Sequence, residues 1–145
     1  MPCFINLPLR WVYDQDAWTD WFINGRIAPE FGLDAVSITL ADSWHEKLAA
    51  RFREAGLSCS VHLPFMGVNP AVADSGKARA SLSALRRGAE LAKIYGAKHM
   101  VGHPYYLALD REGEVDADWL ARSREAWPVL PEIAEAPLFL ENTYE

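Results

Sequence analysis

With 145 residues, half of them apolar, the chain has material for one ordinary core and reads as a single globular domain over residues 1–145. Its formal net charge of -6 argues against a broad electrostatic grip on nucleic acid, so no nucleic-acid partner is expected. The apolar runs fall far short of the ~20 residues that cross a bilayer, and Met1-Pro2-Cys3-Phe4 is not a basic-then-apolar leader; no membrane partner and a cytoplasmic location are expected.

In chain order, Phe4-Ile5-Asn6-Leu7 is a short strand candidate, followed by a helix from about Asp14 that carries Trp18, Trp21 and Phe22 at helical spacing. Gly32 and Asp34 lead into Val36-Ser37-Ile38-Thr39-Leu40, whose strict alternation predicts the second strand. A helix from about Trp44 to Ala55 follows, with Asp42 or Ser43 as N-cap and Gly56 at the position of a left-handed C-terminal cap. The third strand spans Leu57 to Leu63 and is closed by Pro64.

After a loop containing Gly67, Asn69 and Pro70, Asp74 or Ser75 caps a long helix to Tyr95, stopped by Gly96. Ala80, Leu82, Leu85, Ala89 and Ala92 supply its apolar stripe, while Lys77, Arg79, Arg86, Arg87 and Lys93 read as its solvated face. His99-Met100-Val101-Gly102 forms the fourth strand and ends at His103-Pro104. A charged loop precedes a helix from about Ala117, which Asp116 can cap and which Pro128 and Pro131 should kink or divide. Leu138-Phe139-Leu140 is the last strand, ending at Glu141.

This alternation of five strands with four helices calls for a parallel sheet. Both an open doubly wound sheet and a β/α barrel are compatible with it. No Gly-x-Gly-x-x-Gly follows the first strand, so the nucleotide-binding open sheet loses its main support and the barrel is preferred. A complete barrel takes ~250 residues, so the expected fold class is α/β, a partial TIM (β/α)8 barrel. The ending just after Leu140-Glu141-Asn142-Thr143 reads as the middle of a protein, and open edges at the first and last strands predict self-association.

Catalytic groups of a barrel project from the C-terminal ends of its strands. His62, His103 and Glu141 end the third, fourth and fifth strands. Neighbouring strands lie ~4.8 Å apart, so three such side chains can reach one ion. Two imidazoles and a carboxylate suit a divalent cation such as Zn²⁺ or Mn²⁺. Either histidine alone reads as a hydrogen-bonded structural residue; the three together read as a metal site. A carboxylate directly after Leu138-Phe139-Leu140 is costly to bury without a cation or hydrogen bonds. His45, in an exposed-looking helix turn, and His99, at a strand start, are assigned to structure or solvent. Cys3 and Cys59 lie in apolar segments without close pairing and read as reduced, buried thiols.

Three segments give the chain a resemblance to a known superfamily: Val61-His62-Leu63-Pro64-Phe65, then Leu91 to Ala97 leading into Val101-Gly102-His103-Pro104, and Leu140-Glu141-Asn142-Thr143. It resembles the xylose isomerase-like TIM barrels, which include sugar and sugar-phosphate isomerases and epimerases together with endonuclease IV-type apurinic endonucleases. The resemblance implies the N-terminal portion of such a barrel, with a divalent ion (Zn, Mn or Mg) as cofactor. It matches His62, His103 and Glu141 to metal-facing positions of the endonuclease branch. In the isomerase and epimerase branch it makes Glu141 a metal ligand and the candidate catalytic acid/base, with a sugar or sugar phosphate as substrate. Asn6, Phe65, Tyr105, Tyr106 and Asn142 are its substrate-binding candidates. An Asp, a His and a second Glu of that branch come from later strands, so this chain alone is expected to be inactive. Abasic DNA as substrate and a non-catalytic half-barrel that associates with another chain are the alternatives.

Overall fold

A computed structural model describes residues 3–104 and 117–141. Five strands form one parallel sheet in the order β1 (Ile5–Pro8), β2 (Pro29–Gly32), β3 (Ser60–His62), β4 (Met100–Gly102) and β5 (Leu138–Leu140). Each strand pairs with its sequence neighbours in parallel register, the strand order of a β/α barrel. The fold is a partial TIM barrel.

Helices α1 (Leu9–Asp14) and α2 (Ala17–Asn24) join β1 to β2, where one helix from Asp14 was expected. The second strand is a larger departure. It lies at Pro29–Gly32, and the alternating segment Val36–Leu40 instead contains a 3₁₀ turn at Ser37–Thr39. Asp34 is the cause: one carboxylate oxygen accepts from the Val36 N–H at 3.0 Å and the Ser37 N–H at 2.6 Å, curling the chain before it can extend. Pro29 suits the first residue of a strand, where its missing N–H costs least.

Helix α3 (Asp42–Glu54) starts earlier than expected, and neither Asp42 nor Ser43 is its cap. Its N-cap is Ala41, and the Asp42 carboxylate instead pairs with Arg87. The long helix α4 (Ser75–Tyr95) follows the sequence signals closely. Asp74 accepts from the N–H groups of Gly76 and Lys77, and Gly96 turns left-handed at φ 62°. Its buried stripe includes Leu85, Ala89 and Ala92, but Ala80 is exposed and Leu82 only half-buried. At Gly88 of α4 a Cβ would stand 2.8 Å from the tip of the Leu63 side chain and 3.1 Å from Pro64, so a larger residue there would push Leu63 aside. Pro128 divides the last helical region into α5 (Ala117–Ala126) and α6 (Val129–Ala134).

One row of strand residues, Leu7, Phe31, Val61, Met100 and Leu138, runs in register across all five strands. It faces the helices: Phe31 packs its ring on Phe52 of α3 and on Tyr95 of α4. Side chains alternate across a strand, so the rows Asn6, Glu30, Ser60 and Gly32, His62, Val101, Phe139 fall on the opposite face.

His45 is fully buried, contrary to its exposed-looking helix turn. Its Nδ1 lies 2.7 Å from the Tyr95 hydroxyl and its Nε2 3.1 Å from the Ser37 carbonyl oxygen, so both ring nitrogens are satisfied by the packing of α3 on α4 and the 3₁₀ turn. Burial lowers its pKa. Cys59 is buried and free, its thiol pushed up to about 12 by burial. Cys3, just before β1, is also free but exposed, where the sequence predicts a buried thiol. His99 sits just before β4, its ring edge-on between Phe4 and Phe139. Among the described residues, no helix is long and apolar enough to cross a membrane.

Candidate metal centre

The strand ladder brings three side chains together. The N–H of Leu33 bonds the carbonyl of His62, the N–H of Leu63 bonds that of Val101, and the N–H of Glu141 bonds that of Gly102 at 2.9 Å. These bonds continue the parallel pairing past the last strand residues and hold His62, His103 and Glu141 side by side at one end of the sheet. One ligand atom from each of the three lies within 4.8 Å of the others.

The imidazoles of His62 and His103 stack at 4.8 Å between centroids, with their Nε2 atoms 2.7 Å apart. That separation is a hydrogen bond, so one Nε2 donates to the other. A Glu141 carboxylate oxygen lies 3.9 Å from His103 Nε2, on a side chain 60% exposed. His62 Nδ1 is 3.1 Å from a Glu30 carboxylate oxygen. His103 Nδ1 is buried and has no hydrogen-bond partner among the described residues.

Charge follows burial here. His103 is held below the usual imidazole range, first by burial and then by the neighbouring His62, with Glu141 acting in the opposite direction. Glu30 is held below the usual carboxylate range, chiefly by its hydrogen bond from His62, and also by Asn6 and Ser60, against the effect of burial. Two imidazoles beside a carboxylate are a donor set that a borderline divalent cation accepts. His62, with Nδ1 donating to Glu30, has its Nε2 lone pair directed into the cluster, where it accepts from His103 Nε2; moving that proton to the open Nδ1 of His103 frees both Nε2 lone pairs for an ion. The three residues therefore fit a divalent cation.

Phe65 lies across both rings, 5.5 Å from His62 and 5.0 Å from His103, and is 45% exposed. Asn6 lies on β1 in register with Glu30, and its amide helps hold the Glu30 carboxylate ionised. Tyr105, Tyr106 and Asn142, as well as the expected cap Asp116, fall outside the described residues. The residue that the sequence did not single out is Glu30. Its signal was hidden because Pro29-Glu30-Phe31-Gly32 has a proline at its start and a glycine at its end, and the better-looking strand at Val36–Leu40 competed with it.

A profile of the xylose isomerase-like TIM barrel family matches residues 26–144. The chain belongs to this family. Its fold is similar to that of the TTHB071 protein from Thermus thermophilus, solved after soaking with ZnCl₂, with a TM-score of 0.78 and 23% identity over 100% of this chain and 57% of that one. It is also similar to a D-psicose 3-epimerase from Clostridium cellulolyticum H10 solved with D-tagatose, at TM-score 0.63 and 15% identity over 90% of this chain and 48% of that one. Endonuclease IV from Thermus thermophilus matches at TM-score 0.61 and 17% identity over 96% of this chain and 51% of that one. The chain thus spans about half the length of the solved structures it matches. No curated protein sequence matches it significantly.

Proposed function

We propose that the chain carries the divalent-metal end of an isomerase or epimerase active site acting on a small sugar or sugar phosphate. The observation that supports this reading best is the convergence of His62, His103 and Glu141 within 4.8 Å at the ends of three adjacent strands. His62 and His103 through Nε2, and Glu141 through its carboxylate, would hold the ion. When bound, a divalent cation polarises a sugar carbonyl and stabilises negative charge developing on its oxygen. Glu141, the most exposed of the three, accepts and returns the proton of the carbon beside that carbonyl. Phe65 covers the imidazole pair and limits access of water to it. Asn6 acts through the carboxylate beside His62 or bonds a substrate hydroxyl; Tyr105 and Asn142 stay substrate-binding candidates on the family resemblance alone. The net charge of -6 suits a small substrate better than a DNA backbone.

The pairing of two imidazoles favours a second reading, a metal-dependent phosphodiesterase acting on abasic DNA, since the resemblance places histidines at these strand ends in the endonuclease branch. The two readings separate in one assay. The full-length protein, loaded in turn with Zn²⁺, Mn²⁺ and Mg²⁺, is expected to exchange the carbon-bound hydrogen of a ketose with deuterium from solvent, and Glu141→Gln to abolish that exchange. Cleavage of an abasic duplex without exchange on any ketose would transfer the assignment to the second reading.

A further inference from the structure

Glu30 lies on β2 with its carboxylate on the same face as His62, one register step away: Glu30 pairs with Ser60, and Gly32 pairs with His62. Its two oxygens are both engaged. One accepts from His62 Nδ1 at 3.1 Å and the other from the Ser60 hydroxyl at 3.4 Å. The side chains of His62 and Glu30 are only 14% and 20% exposed, so this is not a solvated pair of the kind that contributes little. A glutamate is a poor strand former and brings no apolar surface to a barrel core. Its place beside Ser60 and Asn6 suits a carboxylate held in one orientation.

We propose that Glu30 is the positioning residue of the metal centre, accepting the Nδ1 proton of His62 and so fixing both the ring plane and the Nε2 lone pair that points at His103. The consequence for metal affinity rests on the functional reading above, whereas the control of the His62 tautomer does not. A carboxylate on the distal nitrogen of a ligating histidine holds the tautomer and strengthens the ligand. The Ser60 hydroxyl, itself fully buried, limits swing of the carboxylate.

The test reads the tautomer directly. In uniformly ¹⁵N-labelled protein without added metal, at about pH 8 where histidine is neutral, the two ring nitrogens of His62 are assigned by their long-range couplings. Wild type is expected to show the Nδ1–H form, Glu30→Ala to shift His62 towards the Nε2–H form, and Glu30→Gln to restore Nδ1–H through its amide oxygen. Zn²⁺ titration is expected to show affinity about 10- to 100-fold weaker in Glu30→Ala, with partial recovery in Glu30→Gln. An unchanged His62 tautomer in Glu30→Ala overturns the proposal, as does unchanged Zn²⁺ affinity in that variant where wild type binds. If Glu30→Ala loses its folded spectrum, Glu30→Gln decides: Nδ1–H retained with weaker Zn²⁺ binding supports the proposal, and wild-type affinity overturns it. Wild type that takes up no Zn²⁺ while its His62 tautomer follows residue 30 refutes the functional reading and leaves the positioning role standing.

Discussion

The two faces of the sheet are built from the same strands and follow opposite rules. Towards the helices stand Leu7, Phe31, Val61 and Met100, each at most 1% exposed. On the other face, one residue along in each strand, stand Asn6, Glu30, His62, Val101 and Phe139, of which Phe139 is 57% exposed. The first face removes apolar surface from water and makes few demands on chemistry. The second keeps carboxylates and imidazoles partly solvated and satisfies them with one another. A period of two thus separates stability from function within single strands, and a substitution should reveal which face it lies on by what it disturbs.

The largest effect should come from the helix-side row. Phe31→Ala removes a fully buried ring that touches Phe52 and Tyr95, and is expected to cost about 3–5 kcal/mol in urea denaturation. A loss below about 1 kcal/mol would mean that this row does not hold the fold. Glu141→Gln, on the other face and exposed, should leave stability within about 0.5 kcal/mol. A smaller effect belongs to His45, which lies on the helix side yet titrates. Burial lowers its folded-state pKa, so the unfolded chain binds a proton at higher pH than the folded one. Stability should therefore fall as pH drops from about 6.5 towards the depressed folded value. His45→Gln should flatten that part of the profile, measured by thermal unfolding across pH. Retention of the full slope in the variant would assign it to other groups.

Much of this arrangement was legible in the sequence because its signals are local. Asp74 and Gly96 bound α4, Pro128 divides the last helical region, His62 ends β3, and His103 and Glu141 directly follow β4 and β5. What was not legible depends on partners distant in sequence or on competition between local signals. Val36–Leu40 has the alternation of a strand, but Asp34 caps it into a turn. His45 looks exposed in its own helix and is buried by Tyr95, fifty residues later. Glu30 acquires a role only through His62, the two being brought together by strand register. Cys3 reads as buried from its apolar neighbours, yet it is exposed ahead of β1.

The central claim is that His62, His103 and Glu141 hold a single divalent ion, and metal content measures it most directly. After equilibration with Zn²⁺ and removal of free ion, elemental analysis should find one Zn²⁺ per chain in the wild type. His103→Ala and Glu141→Ala should each lose it while remaining folded. Wild-type zinc content in both variants would contradict the account.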